Sequence, residues 1–138
     1  PFCGYHMGDY FGHWLRTGRR AGARLPKVFV VNWFRKDDDG RFLWPGFGDN
    51  SRVLAWVFRR CDGEAEAVET PIGLVPGRGA IETTGLDVSE EDMAELLKVD
   101  PDQWKAQLPQ VHKHLAQFGD RLPKELRAEL EALEERLA

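Results

Sequence analysis

The sequence predicts a mixed α/β fold in which short strands, or a hairpin, are followed by helices. Three observations carry this. A β-branched and aromatic run from Lys27 to Phe34 precedes a turn signal, Asp37-Asp38-Asp39-Gly40, and a second apolar run from Arg41 to Trp44. Apolar residues recur at helical spacing on either side of that region. The texture then changes after Gly63: residues 1–62 hold 11 Lys+Arg against 6 Asp+Glu, and residues 63–138 hold 8 against 17. Four of the five Trp and seven of the eight Phe also lie in the first part, which therefore carries the dense packing and the candidate site. At 138 residues the chain can form one domain with its own core.

Each element has a local reason. Gly8 to Arg20 reads as a helix, because Tyr10, Phe11, Trp14 and Leu15 share one face and Arg16, Arg19 and Arg20 suit its C-terminal end. Lys27 to Phe34 is apolar at nearly every position from Val28, the pattern of a strand buried on both faces. Arg41 to Trp44 would be its return strand, stopped by Pro45-Gly46. Asp49-Asn50-Ser51 offers an N-cap for a helix through Arg60, apolar around most of its circumference and so expected to be buried on more than one side. Thr70 to Pro76 is a short extended piece bounded by Pro and Gly. Ser89-Glu90-Glu91-Asp92 has capping-box spacing, with Asp in the last position. Asp100-Pro101 starts another helix, with Pro109 a possible kink and Gly119 its expected end. Leu126, Leu130, Leu133 and Leu137 form the stripe of a terminal helix beginning near Pro123.

Several chemistries are excluded by what the chain lacks. It has no HExxH, no GxSxG and no GxxxxGK[ST]. His6, His13, His112 and His114 have no ligand-like spacing, and His112 and His114 point away from each other on a helix. No catalytic residue and no metal ligand is therefore assigned. The net charge of −4 argues against general nucleic-acid binding. Arg16, Arg19, Arg20, Arg24 and Lys27 could face a small anion, though a solvated helix face explains most of them. No apolar run reaches membrane-spanning length, so no membrane partner is expected. Cys3 and Cys61 stand in unlike contexts, which fits a reduced, cytoplasmic setting. The chain begins without Met inside a Gly/aromatic segment, as a piece of a longer protein would.

The most informative stretch is Val31 to Asn50. Its 20 residues hold five large aromatics, three Gly and one Pro. Such rings either fill the core of a hairpin or, held on tight turns, form flat slots of the thickness of a purine base. On the residues alone, both remain open.

Val31-Asn32-Trp33-Phe34-Arg35-Lys36, with Phe42-Leu43-Trp44-Pro45-Gly46-Phe47-Gly48-Asp49-Asn50, resembles the guanine-binding signature of the GTP-dependent phosphoenolpyruvate carboxykinases. Pro1 to Tyr10, Arg52-Val53-Leu54 and Thr70-Pro71-Ile72-Gly73 are similar to further blocks of that family. The resemblance is dense over residues 1–76 and looser beyond. It implies a guanine-binding segment, 1–76, and a helical C-terminal segment, 77–138, of one C-terminal carboxykinase domain. It implies a lyase of gluconeogenesis that converts oxaloacetate and GTP to phosphoenolpyruvate, CO2 and GDP, assisted by Mn2+ and Mg2+. The family's phosphate loop, metal ligands, oxaloacetate-binding arginines and lid lie upstream, so this chain would bind neither metal and would be silent by itself, with the upstream remainder of the enzyme as its partner. By motif match, Phe34 and Phe47 would sandwich the guanine, Phe42 would lie at its edge, Trp33 would back the pocket and Asn50 would hydrogen-bond the base. Phe2 and Gly4 would border the substrate. His6 stands where the family has Asn, and Cys3 where Phe is common. The alternatives are a non-catalytic nucleotide-binding or interaction module of the same fold, and an enzyme using another phosphoryl donor.

Overall fold

The computed structural model describes residues 3–138, and among these it contains five α-helices and one two-stranded antiparallel sheet. In chain order the elements are α1 (Met7–Gly18), α2 (Asn50–Asp62), β1 (Val68–Thr70), β2 (Gly73–Val75), α3 (Glu90–Leu97), α4 (Pro101–Ala116) and α5 (Lys124–Leu137). The mixed α/β class expected from the sequence is the class observed. The residues divide into two compact units: the chain up to Pro26 with Asp100–Ala138, and Lys27–Val99.

The first unit is helical. His6 begins α1 as its N-cap, its ring Nδ1 accepting from the Gly8 N–H at 3.1 Å. Gly8 is required there, because a Cβ would collide with the backbone carbonyl of Arg121. Asp100 caps α4 by accepting from the N–H groups of Asp102 and Gln103, with Pro101 in the first turn as expected. The helix runs through Pro109 to Ala116, and Gly119 opens a 3-10 turn instead of closing α4. Phe118 takes the edges of Phe11 at 5.3 Å and His114 at 5.4 Å. In α5, Leu130 and Leu137 are buried, and Leu126 and Leu133 half-buried, so the expected stripe is the packed face. His112 on α4 reaches Glu134 on α5 at 2.5 Å, whereas His114 pairs with Gln117.

The second unit is built around Trp44, Trp56 and Ile81, with Phe29, Trp33, Val53, Val57, Met93 and Leu96 packed against them. Here the sequence expectation is corrected in two places. Lys27 to Phe34 is not a strand: Val28 is 85% exposed and Val30 95%. The hairpin shrinks to a single bridge between Lys36 and Phe42 around the Asp37–Gly40 turn. A strand exists by pairing, and among the described residues only β1 and β2 pair at length. Similarly, α2 is buried on one side only: Trp56 is in the core, while Leu54 and Phe58 are exposed. Periodicity reports that a residue is apolar, not that a partner is present to cover it.

Local predictions fared better. Asp37 Oδ1 accepts from the N–H groups of Asp39 and Arg41, and Gly40 closes the turn with a φ of 83° that favours glycine. The Ser89 capping box is complete: Ser89 Oγ accepts from the Asp92 N–H at 3.0 Å, and Asp92 Oδ2 accepts from the Ser89 N–H at 3.2 Å. Arg41 also donates to Asp92 at 2.7 Å, and that hydrogen bond is the main cause of a lowered Asp92 pKa. The Arg35 guanidinium donates to the Glu95 carboxylate at 2.7 Å. These two contacts tie the aromatic stretch to α3.

Candidate functional site

The aromatic stretch separates into two populations. Leu43 and Trp44 point into the core, at 3% and 5% exposure. Phe34, Phe42 and Phe47 do not: they are 73%, 51% and 97% exposed. Trp33 is half-buried and packs against the core beneath. A hairpin whose aromatics all fill the core is therefore not what forms.

Backbone geometry explains the outward rings. Asn32 Oδ1 accepts from the Phe34 N–H at 3.0 Å, which turns the chain at Trp33-Phe34. After Trp44, Pro45 is followed by Gly46 at φ 105°, a conformation that L side chains rarely adopt. The Gly46 carbonyl then accepts from the N–H groups of Asp49 and Asn50 at 3.0 and 3.2 Å, folding the turn onto the start of α2. Phe47 is left at the tip of that turn. Asp49 is the N-cap residue of α2 and Asn50 its first helical residue, so the Asn50 amide is not used as a cap.

The structure brings some predicted site residues together. Phe34 and Phe42 meet edge to face, with centroids 6.4 Å apart and planes at 64°. Lys36 Nζ lies 4.5 Å from the centre of the Phe42 ring, a cation–π distance. Among the described residues no ring stacks on Phe47. Gly4 is exposed, with open space around it, and Phe2 lies outside the described residues.

Sequence reasoning missed one contact. The Trp44 indole N–H donates to Asn50 Oδ1 at 2.9 Å. A core residue thus holds a candidate binding residue, and the only signal of it in the sequence is a Trp six positions before an Asn. His6 stands where the resemblance expects Asn. Its ring nitrogen supplies the same acceptor to the α1 terminus that an Asn side chain would.

Elsewhere several charges are paired. Arg19 pairs with Glu125, which lowers that carboxyl's pKa, and Arg121 meets Asp9 at 3.2 Å. Lys27 donates to the carbonyls of Arg60 and Cys61. Among the described residues no three His, Cys, Asp or Glu side chains converge as a metal site, and no helix is long and apolar enough to cross a membrane.

Comparison with known proteins gives a consistent picture. Residues 1–136 match the family described as the phosphoenolpyruvate carboxykinase C-terminal P-loop domain. The chain is 58% identical over 139 residues to a phosphoenolpyruvate carboxykinase [GTP] of Treponema pallidum, covering 99% of this chain and 22% of the relative. It is 54% identical to that of Neocallimastix frontalis, covering 99% and 23%. It is 50% identical to that of an Arthrobacter species, covering 100% and 23%. The chain thus spans less than a quarter of the length of these curated relatives.

Proposed function

Since the chain belongs to the C-terminal domain family of the phosphoenolpyruvate carboxykinases, we propose that it supplies the guanine-binding surface of a GTP-dependent enzyme of that kind. The reaction would convert oxaloacetate and GTP to phosphoenolpyruvate, CO2 and GDP. The groups that handle phosphate, metal and oxaloacetate would lie in the upstream part of that enzyme, and Mn2+ and Mg2+ would be held there. One observation carries the proposal: Phe34, Phe42 and Phe47 are presented outward on a segment whose Leu43 and Trp44 are buried, and Trp44 holds the amide of Asn50 three residues beyond Phe47. Three exposed Phe rings within 14 residues are costly to hydrate, and binding a flat ligand recovers that.

Two kinds of interaction divide the work. Stacking of guanine between Phe34 and Phe47, with Phe42 at its edge and Trp33 behind, contributes about 1–3 kcal/mol per base without telling one base from another. Discrimination comes from polar groups matched to O6, N1–H and N2–H, because a mismatched base leaves buried polar atoms unpaired. Asn50 has the amide for that role. The same proposal accounts for the bare apolar run at Val28 and Val30, which the upstream part of the enzyme would cover.

The test is nucleotide selectivity in the full-length enzyme. Asn50→Ala should lower the preference for GTP over ATP about tenfold or more, with the oxaloacetate KM unchanged. Unchanged selectivity would remove Asn50 from the base site.

A further inference from the structure

Resting on the assignment of Asn50 to the guanine site, we propose that Trp44 is the positioning residue that sets the polarity of that site. It fixes which end of the Asn50 amide faces the base. The indole N–H is a donor only, so the Asn50 atom 2.9 Å from it must be the carbonyl oxygen. Trp44 is 5% exposed and wedged against Trp56 and Ile81, so the indole cannot turn to suit its neighbour. Flipping the amide would set its NH2 against the indole N–H, two donors with no acceptor between them. The Asn50 oxygen is thereby committed inward. Its nitrogen donates to nothing among the described residues and is free to donate to a ligand.

A site that presents a donor selects an acceptor. Guanine and hypoxanthine both carry O6 as an acceptor, whereas adenine carries an amino group there, a donor. The ligand class read by the pair is therefore the 6-oxopurine nucleotides. The 2-amino group, which separates guanine from hypoxanthine, is not what Asn50 reads.

The experiment measures kcat/KM of the full-length enzyme for GTP, ITP and ATP in three variants. Asn50→Asp keeps an acceptor for Trp44 and loses the donor. GTP and ITP should fall together, about tenfold or more, with the GTP/ITP ratio unchanged. Retained GTP activity, whether or not ITP falls, would show that an oxygen at this position reads the N1–H and N2–H edge, and would overturn the proposal. Trp44→Phe keeps the ring and removes the N–H, freeing the amide to flip. The GTP/ATP ratio should drop about tenfold, through a gain with ATP as well as a loss with GTP. An unchanged ratio in a variant with native circular dichroism would overturn the positioning role; if that variant does not fold, benzothienylalanine at position 44, which keeps the double ring and lacks only the N–H, is read by the same criterion. Asn50→Ala separates the two levels. No change of selectivity in Asn50→Ala would sink the assignment of Asn50 itself. A loss there, with no change in Trp44→Phe, would sink only the role of Trp44.

Discussion

Phe47→Ala isolates stacking from folding more cleanly than any other substitution in the aromatic stretch. The ring is 97% exposed, so truncation removes almost no packing. The effect on stability should be within about 0.5 kcal/mol, as for other surface positions. If the ring stacks on guanine, about 1–3 kcal/mol of binding is lost, which is roughly a 5- to 150-fold rise in the KM for GTP. Phe42 is a poorer probe: it meets Phe34 and lies under Lys36, so its removal disturbs two neighbours. The assay is initial-rate kinetics of the full-length enzyme, varying GTP at saturating oxaloacetate and then the reverse, with thermal melts of both proteins. Phe47→Tyr should behave like the parent, since it keeps the stacking face. An equal rise in both KM values, or a fall in Tm with neither KM changed, would refute the stacking role.

Three further predictions concern the scaffold. Gly8→Ala should destabilise by about 1–3 kcal/mol, because its Cβ would collide with the Arg121 carbonyl and overpacking exceeds the gain in helix propensity; a raised Tm would show that α1 moves aside freely. His6→Ala should lower stability by about 1 kcal/mol, and His6→Asn should restore most of it, since the ring acts as an N-cap acceptor; equal losses in a melting comparison would refute capping. Arg41, as hydrogen-bond donor, lowers the Asp92 pKa in the folded protein, so its contribution is complete above about pH 4 and is lost as pH falls through the lowered value. Asp92→Asn should therefore reduce the fall in Tm between about pH 4 and pH 2. Parallel Tm profiles for the two proteins would exclude this contact from the acid response.

Most of the local grammar was legible. The Asp37–Gly40 turn, the Ser89 capping box, the Asp100-Pro101 start and the Leu130/Leu137 stripe each depend on residues a few positions apart, and each is found. The strand at Lys27–Phe34 and the all-round burial of α2 were not. Both depend on what lies alongside, and sequence pattern cannot specify a distant partner. Candidate site residues were legible only as residue types on a turn-rich segment.

The sequence by itself determined the family signature, the rings and the glycines that let the backbone turn. Tertiary structure alone decided which rings face water. Trp44 and Phe47 look alike in composition, yet one is 5% exposed and the other 97%. The difference comes from Gly46 at φ 105°, which reverses the chain between them, and from the core of Trp56 and Ile81, which takes the indole. That burial also carries the indole N–H to Asn50, a contact no spacing rule would single out.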